Sequence, residues 1–498
     1  MTVEPIGLIA LLIGIIGLFR APTFLVYAFV TSTLLGAAAA FNVTAIGGVS
    51  IPPAHLLFGF LAIRLVGTRE IRHEIGEALS PGRPGFWLAL TVILSLVTAY
   101  FMPRLFAGAT FVFPVRAQFA GLVPLEPATS NVTQSVYFIA DATCFLILSG
   151  FAATRGGIRV LLGAAMLAAT VNLVFAALDL VTYFTNTAEI LAFIRNANYT
   201  MLVETDVAGF KRIVGSFVEA SSFGGATLGY FAFTGRLWLL GVQPRLTATL
   251  ALLSLAAVLF ATSTTAYVGL AVFLGLTYLD VLIRTMGGPS PPQMRLFVVG
   301  APLMVVVLGF AVALSDTYSV MVRDLLDTFF FNKMSTASGQ ERGAWNQMAL
   351  QSFFDTMGFG FGNGSGRASS FVVAALSSLG LFGSVPFAMF FTSLFFGRSS
   401  NTKLDPTEEA ARQSAKSMCL AWLITGTVSD PLIELGLGFY TFAALAGASG
   451  FRMSPEALRM LVPSSQRYRF RGDVTQRSSL FLSAGRHHAV QPFRDRSM

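Results

Sequence analysis

The chain has 498 residues, of which 54% are hydrophobic and only 12% charged, with a formal net charge of +8. A soluble domain carries about 25% charged residues, so an ordinary water-soluble enzyme is excluded. Repeated apolar runs, each able to cross roughly 30 Å of hydrocarbon as a helix, occur without the two-residue alternation of a transmembrane barrel. The expected fold is all-α, a polytopic transmembrane helical bundle of about 12–14 spans with a large, partly helical loop on one face.

Spans are expected at 6–19, 21–40, 51–66, 85–103, 136–153, 160–183, 220–240, 246–262, 265–283, 296–314, 371–397, 417–430 and 432–450, the last two short enough for a re-entrant hairpin. The first run has Glu4 before it and Arg20 after it, the reverse of a secretory signal, and reads as a retained span. With thirteen crossings, the loops 64–84, 154–159, 236–245, 284–295 and 398–416 share a side with Arg20 and the tail, and that side holds 24 of the 33 basic residues. The positive-inside rule makes it cytoplasmic, with the N-terminus outside and the C-terminus inside. The membrane domain is 1–451. Residues 452–498, with nine arginines, read as a basic, disordered tail drawn to anionic headgroups, and topology accounts for that charge without nucleic acid.

Three outer loops are long, at 104–135, 184–219 and 315–370. The first is apolar and suits a segment lying in the interface. Lys211, Arg212, Arg342 and Arg367 lie in or beside outer loops against the charge bias, which marks them as candidate functional residues, with snorkelling to lipid phosphate as the alternative. At helical spacing Arg212, Ser216 and Glu219 share a face. Ser338 followed by Glu341 is a capping-box pattern, and Trp345, Met348, Ala349, Ser352 and Phe353 then form an apolar stripe that leaves Arg342, Asn346 and Gln347 on the polar side.

Gly358, Gly360, Gly362, Gly364 and Gly366 precede Arg367. Such a ladder either lets backbone N–H groups close on an anion gripped by Arg367, or simply turns the chain. Asp141, Asp179 and Asp430 sit at expected span ends, where water can hydrate them. Asn172, mid-span, reads as a bond between helices. The break Thr262–Tyr267 is a tight turn or a cavity wall. Asn42, Asn131, Asn198 and Asn363 each open an Asn-x-Ser/Thr triplet. Cys144 and Cys419 fall in separate spans and His55, His73, His487 and His488 are scattered, so no disulfide, metal or other cofactor is expected.

The segments Lys211–Gly225, Ala261–Tyr267, and Glu341–Trp345 leading to Gly358–Gly362 resemble the O-antigen polymerase and ligase superfamily, most of all the polymerases of bacterial exopolysaccharide synthesis. The resemblance covers about residues 200–450. Arg342 stands sixteen positions before Gly358, as in the family's second-loop Arg-x15-Gly form, whereas Arg212 precedes Gly224 by twelve, one more than the first-loop Arg-x10-Gly form. Ligases of the superfamily use a histidine near the end of the large loop, where this chain has Arg367-Ala-Ser-Ser370.

The resemblance implies metal-independent glycosyl transfer at the periplasmic face of a bacterial inner membrane. The donor is a glycan on undecaprenyl pyrophosphate and the acceptor a sugar hydroxyl of another lipid-linked repeat unit, with a chain-length regulator and a flippase as further partners. Arg342 and Arg212 are then the expected catalytic clamps. Glu219, the one acid in segment 212–225, is a candidate general base or else the partner of a structural ion pair. Lys211, Arg367, Asn346, Gly358, Gly360 and Gly362 are candidate substrate-binding residues. The alternatives are a ligase moving finished glycan to another acceptor, and a transporter or flippase of lipid-linked sugars, whose polar groups belong near the midplane.

Overall fold

The chain divides into Met1–Gly450 and Phe451–Met498. A computed structural model describes residues 2–43, 49–115, 121–198, 201, 206–207, 210–327, 335–397 and 404–448. The basic tail lies outside the described residues.

The described chain is built from helices α1 (Pro5–Phe19), α2 (Pro22–Ser32), α3 (Pro53–Val66), α4 (Arg69–Ala78), α5 (Pro84–Leu105), α6 (Thr129–Ala152), α7 (Gly157–Phe184) and α8 (Ala220–Leu239). These are followed by α9 (Pro244–Phe260), α10 (Thr264–Met286), α11 (Pro292–Ala313), α12 (Asp316–Leu326), α13 (Ala337–Asp355), α14 (Phe371–Phe396), α15 (Pro406–Ser429) and α16 (Gly436–Ala446). In α1, α2, α3, α5, α9, α11 and α15 a proline occupies the first turn, where its missing N–H forfeits no hydrogen bond. Among the described residues six helices, α5, α6, α7, α10, α11 and α14, are long and apolar enough to cross a membrane. The protein is a membrane-integral, all-α bundle.

At the centre α8 packs along α9 and α15, while α5 lies along α14 and α6 along α16. Tyr230, Phe233, Phe387, Phe390, Phe439 and Phe442 fill the space between them and are fully buried. Helix α11 is exposed along its length beyond Met294, as a lipid-facing helix would be.

The loops gather at two ends of this bundle. At one end, Arg159 pairs with Asp405 and Glu408, Arg236 with Asp280 at 2.7 Å, and Lys416 donates to the Phe395 carbonyl. At the other, the Arg367 N–H donates to the Phe113 carbonyl, Thr110 to Asp355, Ala37 N–H to Ser216, and Asn198 N–H to the Ser50 hydroxyl. These two sets are the loops that the charge bias assigns to opposite faces.

Several expected elements take another form. The run 21–40 is helical only to Ser32, and its buried small residues continue without helix because the N–H groups of Ala37 and Ala40 donate to Ser216 and Ile51. Asp405 accepts the Glu408 N–H at 2.8 Å and starts α15 eleven residues before the span expected at 417. The last span is an 11-residue helix buried in the bundle. It is about 16 Å long, too short to cross alone. Residues 111–112 and 123–124 form a small antiparallel hairpin within the first long loop. The α13 cap is Thr336, which accepts the Gly339 N–H at 3.2 Å, rather than Ser338.

The span at 371–397 is a broken helix, for Gly380 has φ 63° and ψ −174°. In an unbroken helix the Leu381 N–H would reach the Ser377 carbonyl. Here Leu381 N–H donates to Gly358 at 2.9 Å and Ser377 accepts from the Phe361 N–H at 2.8 Å. The glycine loop is therefore inserted into one helical hydrogen bond, and both freed groups are repaired in a region where no water would satisfy them.

A Cβ on Gly360 would lie 2.6 Å from the Gly380 nitrogen, one on Gly362 2.6 Å from the Thr98 carbonyl, and one on Gly364 2.3 Å from the Ser130 carbonyl. Their positive φ adds to that restriction. Gly360→Ala is expected to cost about 1–3 kcal/mol for the backbone conformation alone, and more for the clash. By contrast Gly343→Ala, within α13 and facing open space, is expected to gain about 0.5–1 kcal/mol. Thermal melts of the detergent-purified variants check both signs.

Candidate active site

Segment 210–219 leads from a two-residue strand, Phe210–Lys211, to the start of α8, and it is not helical. The shared helical face expected for Arg212, Ser216 and Glu219 is absent because Asp179, at the end of α7, captures the backbone. Its Oδ2 accepts the N–H of Val214 at 2.7 Å and of Gly215 at 3.1 Å, while Oδ1 pairs with Arg195 at 2.6 Å. Arg195 also donates from Nε to the Gly215 carbonyl at 3.2 Å. Asp179 is thus a buried clamp, not a hydrated helix end. Gly215 takes φ 57° at the turn, and buried Ser216 ties the segment to the Leu34 carbonyl.

On α13, Arg342 is half-buried and shares a stripe with Asn346 and the buried Ala349. Asn346 was expected on the polar side, but its Oδ1 accepts the N–H groups of Ser369 and Ser370 at 2.8 and 3.0 Å. It anchors the start of α14 and leaves that oxygen no free role on a substrate. This anchorage sets Arg367 with its guanidinium 3.7 Å over the Trp345 ring. The tertiary structure therefore brings both Arg342 and Glu219 within electrostatic reach of Arg212 and of Arg367, with Tyr267 near Arg212 and Glu341 near Arg367.

Burial lowers the pKa of Arg212, opposed by Glu219 and Tyr267 and reinforced by the charge of Arg342. Burial likewise lowers that of Arg367, with Glu341 and Glu219 opposing and Arg342 reinforcing. Among the described residues none of these three guanidiniums has an ion-pair partner, and the buried Nε of Arg212 and of Arg367 makes no hydrogen bond. Each guanidinium carries five donors. Three such groups, half-buried and unpaired, form a ready receptor for an anion with several oxygens.

The other expected binding residues are used elsewhere. Lys211 lies over the Tyr183 ring at 5.4 Å. Gly360 and Gly362 press against the α14 break and the end of α5, and Gly358 receives the Leu381 N–H on its carbonyl, so these glycines seat the loop and do not form an open anion cradle. Asn172 binds Thr227 at 2.9 Å, joining α7 to α8 as expected. Asn131 and Asn363 are buried and bonded to each other's segment, Asn131 Nδ2 to the Asn363 carbonyl at 2.7 Å.

Beside the arginines is a cavity of about 570 Å³ between α2, α8, α15 and α16, lined in part by Glu219, Ser222, Thr265, Trp422 and Asp430. Thr265 belongs to the polar break at 262–267, so that break is a cavity wall as well as a turn. The sequence singled out neither Trp422 nor His55, which also lines the cavity and packs edge-on to Tyr137 at 5.1 Å. In sequence they are an aromatic and a histidine in apolar runs, with nothing to mark them. Asp430, in the turn after α15, faces this cavity.

The sequence matches no protein-family model and no curated protein.

Removing Asp179 leaves Arg195 buried and unpaired, which costs about 3–5 kcal/mol in comparable buried pairs. Asp179→Ala is expected to speed hydrogen exchange at residues 213–217 while exchange in α14 stays slow.

Proposed function

We propose that the chain is a membrane glycosyltransferase that polymerises undecaprenyl-pyrophosphate-linked oligosaccharide repeat units into exopolysaccharide or O-antigen at the periplasmic face of a bacterial inner membrane. The observation that carries this reading is that Arg342 and Glu219 each lie within electrostatic reach of Arg212 and of Arg367, that among the described residues none of the three arginines has an ion-pair partner, and that Glu219 also lines a cavity. The resemblance of segments 211–225 and 341–362 to the O-antigen polymerase and ligase superfamily supports it. A solute transporter would put such groups near the midplane on broken helices, whereas these lie among the loops at one end of the bundle.

In this reading the acceptor hydroxyl oxygen attacks the anomeric carbon of the donor sugar. The bond from that carbon to the pyrophosphate oxygen breaks, and its electron pair stays on the pyrophosphate. Glu219 takes the proton of the attacking hydroxyl; its Oε1 accepts from Ser221, and among the described residues Oε2 takes no hydrogen bond. The three guanidiniums hold the leaving pyrophosphate and share its growing charge. Half-burial makes them more effective there than in bulk water. Arg367, braced on Trp345, holds a fixed plane toward the phosphate oxygens, and Arg342 supplies the neighbouring fork.

Losing one such donor costs on the order of 10²–10³ in rate. Arg342→Ala is expected to leave the protein inserted and abundant while polymer disappears and single lipid-linked repeat units accumulate. Arg342→Lys is expected to be at least tenfold slower than the parent, since an ammonium lacks the planar fork. Unchanged polymer length in Arg342→Ala, or repeat units trapped on the inner leaflet, would overturn the assignment.

A further inference from the structure

We infer that the cavity beside the arginines is a separate binding site for an uncharged sugar ring, joined to the anion site only through Glu219. This rests on the proposed function for the meaning of the sugar, the acceptor end of a glycan, but not for the site itself.

The lining decides the chemistry. The unpaired donors of the anion site are guanidinium N–H groups, whereas among the described residues no lining residue of the cavity is Lys or Arg, and its ionisable acids are Glu219 and Asp430. A phosphate placed there would meet carboxylates and no counter-charge, so the cavity rejects the group that the arginines attract. Hydroxyls suit it. A carboxylate accepts from two neighbouring sugar hydroxyls, a protonated carboxyl both donates and accepts, and Ser222 and Thr265 do the same.

The apolar face of a sugar ring needs a flat, fixed partner. Trp422 supplies one, since its Nε1–H donates to the Ala226 carbonyl at 3.3 Å and its ring packs edge-on to Phe442 at 5.5 Å and to Tyr230 at 6.3 Å. Phe217 lines the same space and is held edge-on to Phe223 at 6.2 Å. A volume of about 570 Å³ lies inside the range of small-molecule sites. Fixed aromatic planes with a few polar groups and no cation are the composition that a neutral polyhydroxyl ligand requires.

Glu219 connects the two sites. It lines the cavity, and its charge is felt by both Arg212 and Arg367. A sugar on Trp422 would bring one hydroxyl to Glu219 and keep its remaining hydroxyls away from the arginines. That separation prevents the acceptor from occupying the leaving-group site.

The test measures binding to the full chain in detergent by calorimetry, with a panel of neutral methyl glycosides as one probe and farnesyl pyrophosphate as the other. The variants are Ser222→Phe, which fills the cavity, and Arg342→Ala. At least one methyl glycoside is expected to bind the parent, to bind Ser222→Phe at least tenfold more weakly, and to bind Arg342→Ala within about twofold of the parent. Farnesyl pyrophosphate is expected to show the reverse, and its retained binding shows that Ser222→Phe is folded. The inference is overturned if no glycoside binds, if glycoside and pyrophosphate compete for one site, or if Ser222→Phe leaves glycoside binding intact. If glycosides behave as expected but farnesyl pyrophosphate does not bind the parent, the anion-site reading fails and the sugar site stands.

Discussion

Three guanidinium groups, half out of water and, among the described residues, without a carboxylate in ion-pair contact, feel one another's charge through Arg342, and a chain left to itself would let them drift apart into solvent. Much of the architecture at this end of the bundle opposes that drift by fixing the backbone. Asp179 and Arg195 hold the segment behind Arg212 through Val214 and Gly215. Asn346 fixes the residues after Arg367 to the helix that carries Arg342. Trp345 limits where the Arg367 plane can turn. Each device satisfies backbone or ring contacts and leaves the cationic donors free, which is the arrangement a ligand of opposite charge requires.

The same logic sets the relative importance of the ion pairs. At the opposite end Arg159 is exposed and its acids are partly exposed, and Arg284 and Asp280 are both exposed; pairs open to solvent in this way contribute about 0–1 kcal/mol. Asp179 and Arg195 are buried, at 2% and 9% side-chain exposure, so breaking them leaves an uncompensated charge in apolar surroundings. The pairs facing the basic side help to order loops. The buried Asp179–Arg195 pair at the other end fixes the geometry of the candidate site.

A broken helix is costly in an apolar bundle unless its freed groups find partners. Here the glycine loop supplies both partners for one lost bond of α14, and the close approach of Gly360 to Gly380 is possible only because neither has a side chain. The glycines serve the fold directly and the chemistry only indirectly. They seat the loop that ends in Arg367, and the anion-binding groups are side chains.

The sequence by itself determined that this is an all-α membrane bundle and which ends of it gather the loops, and it marked Lys211, Arg212, Arg342 and Arg367 as charges that run against the loop bias. Those features follow from local hydropathy, from proline and capping residues at helix starts, and from charge bias, all readable in one dimension. Tertiary structure alone decided that Asp179 is a buried clamp, that Asn346 and the glycines are structural, that α14 breaks at Gly380, and that Trp422 and Asp430 share a cavity with Glu219. Asp179 and Gly215 are 36 residues apart in the chain, and Thr265 and Trp422 farther still. Contacts across such distances depend on how helices pack, and no local pattern of residues encodes which carboxylate meets which amide.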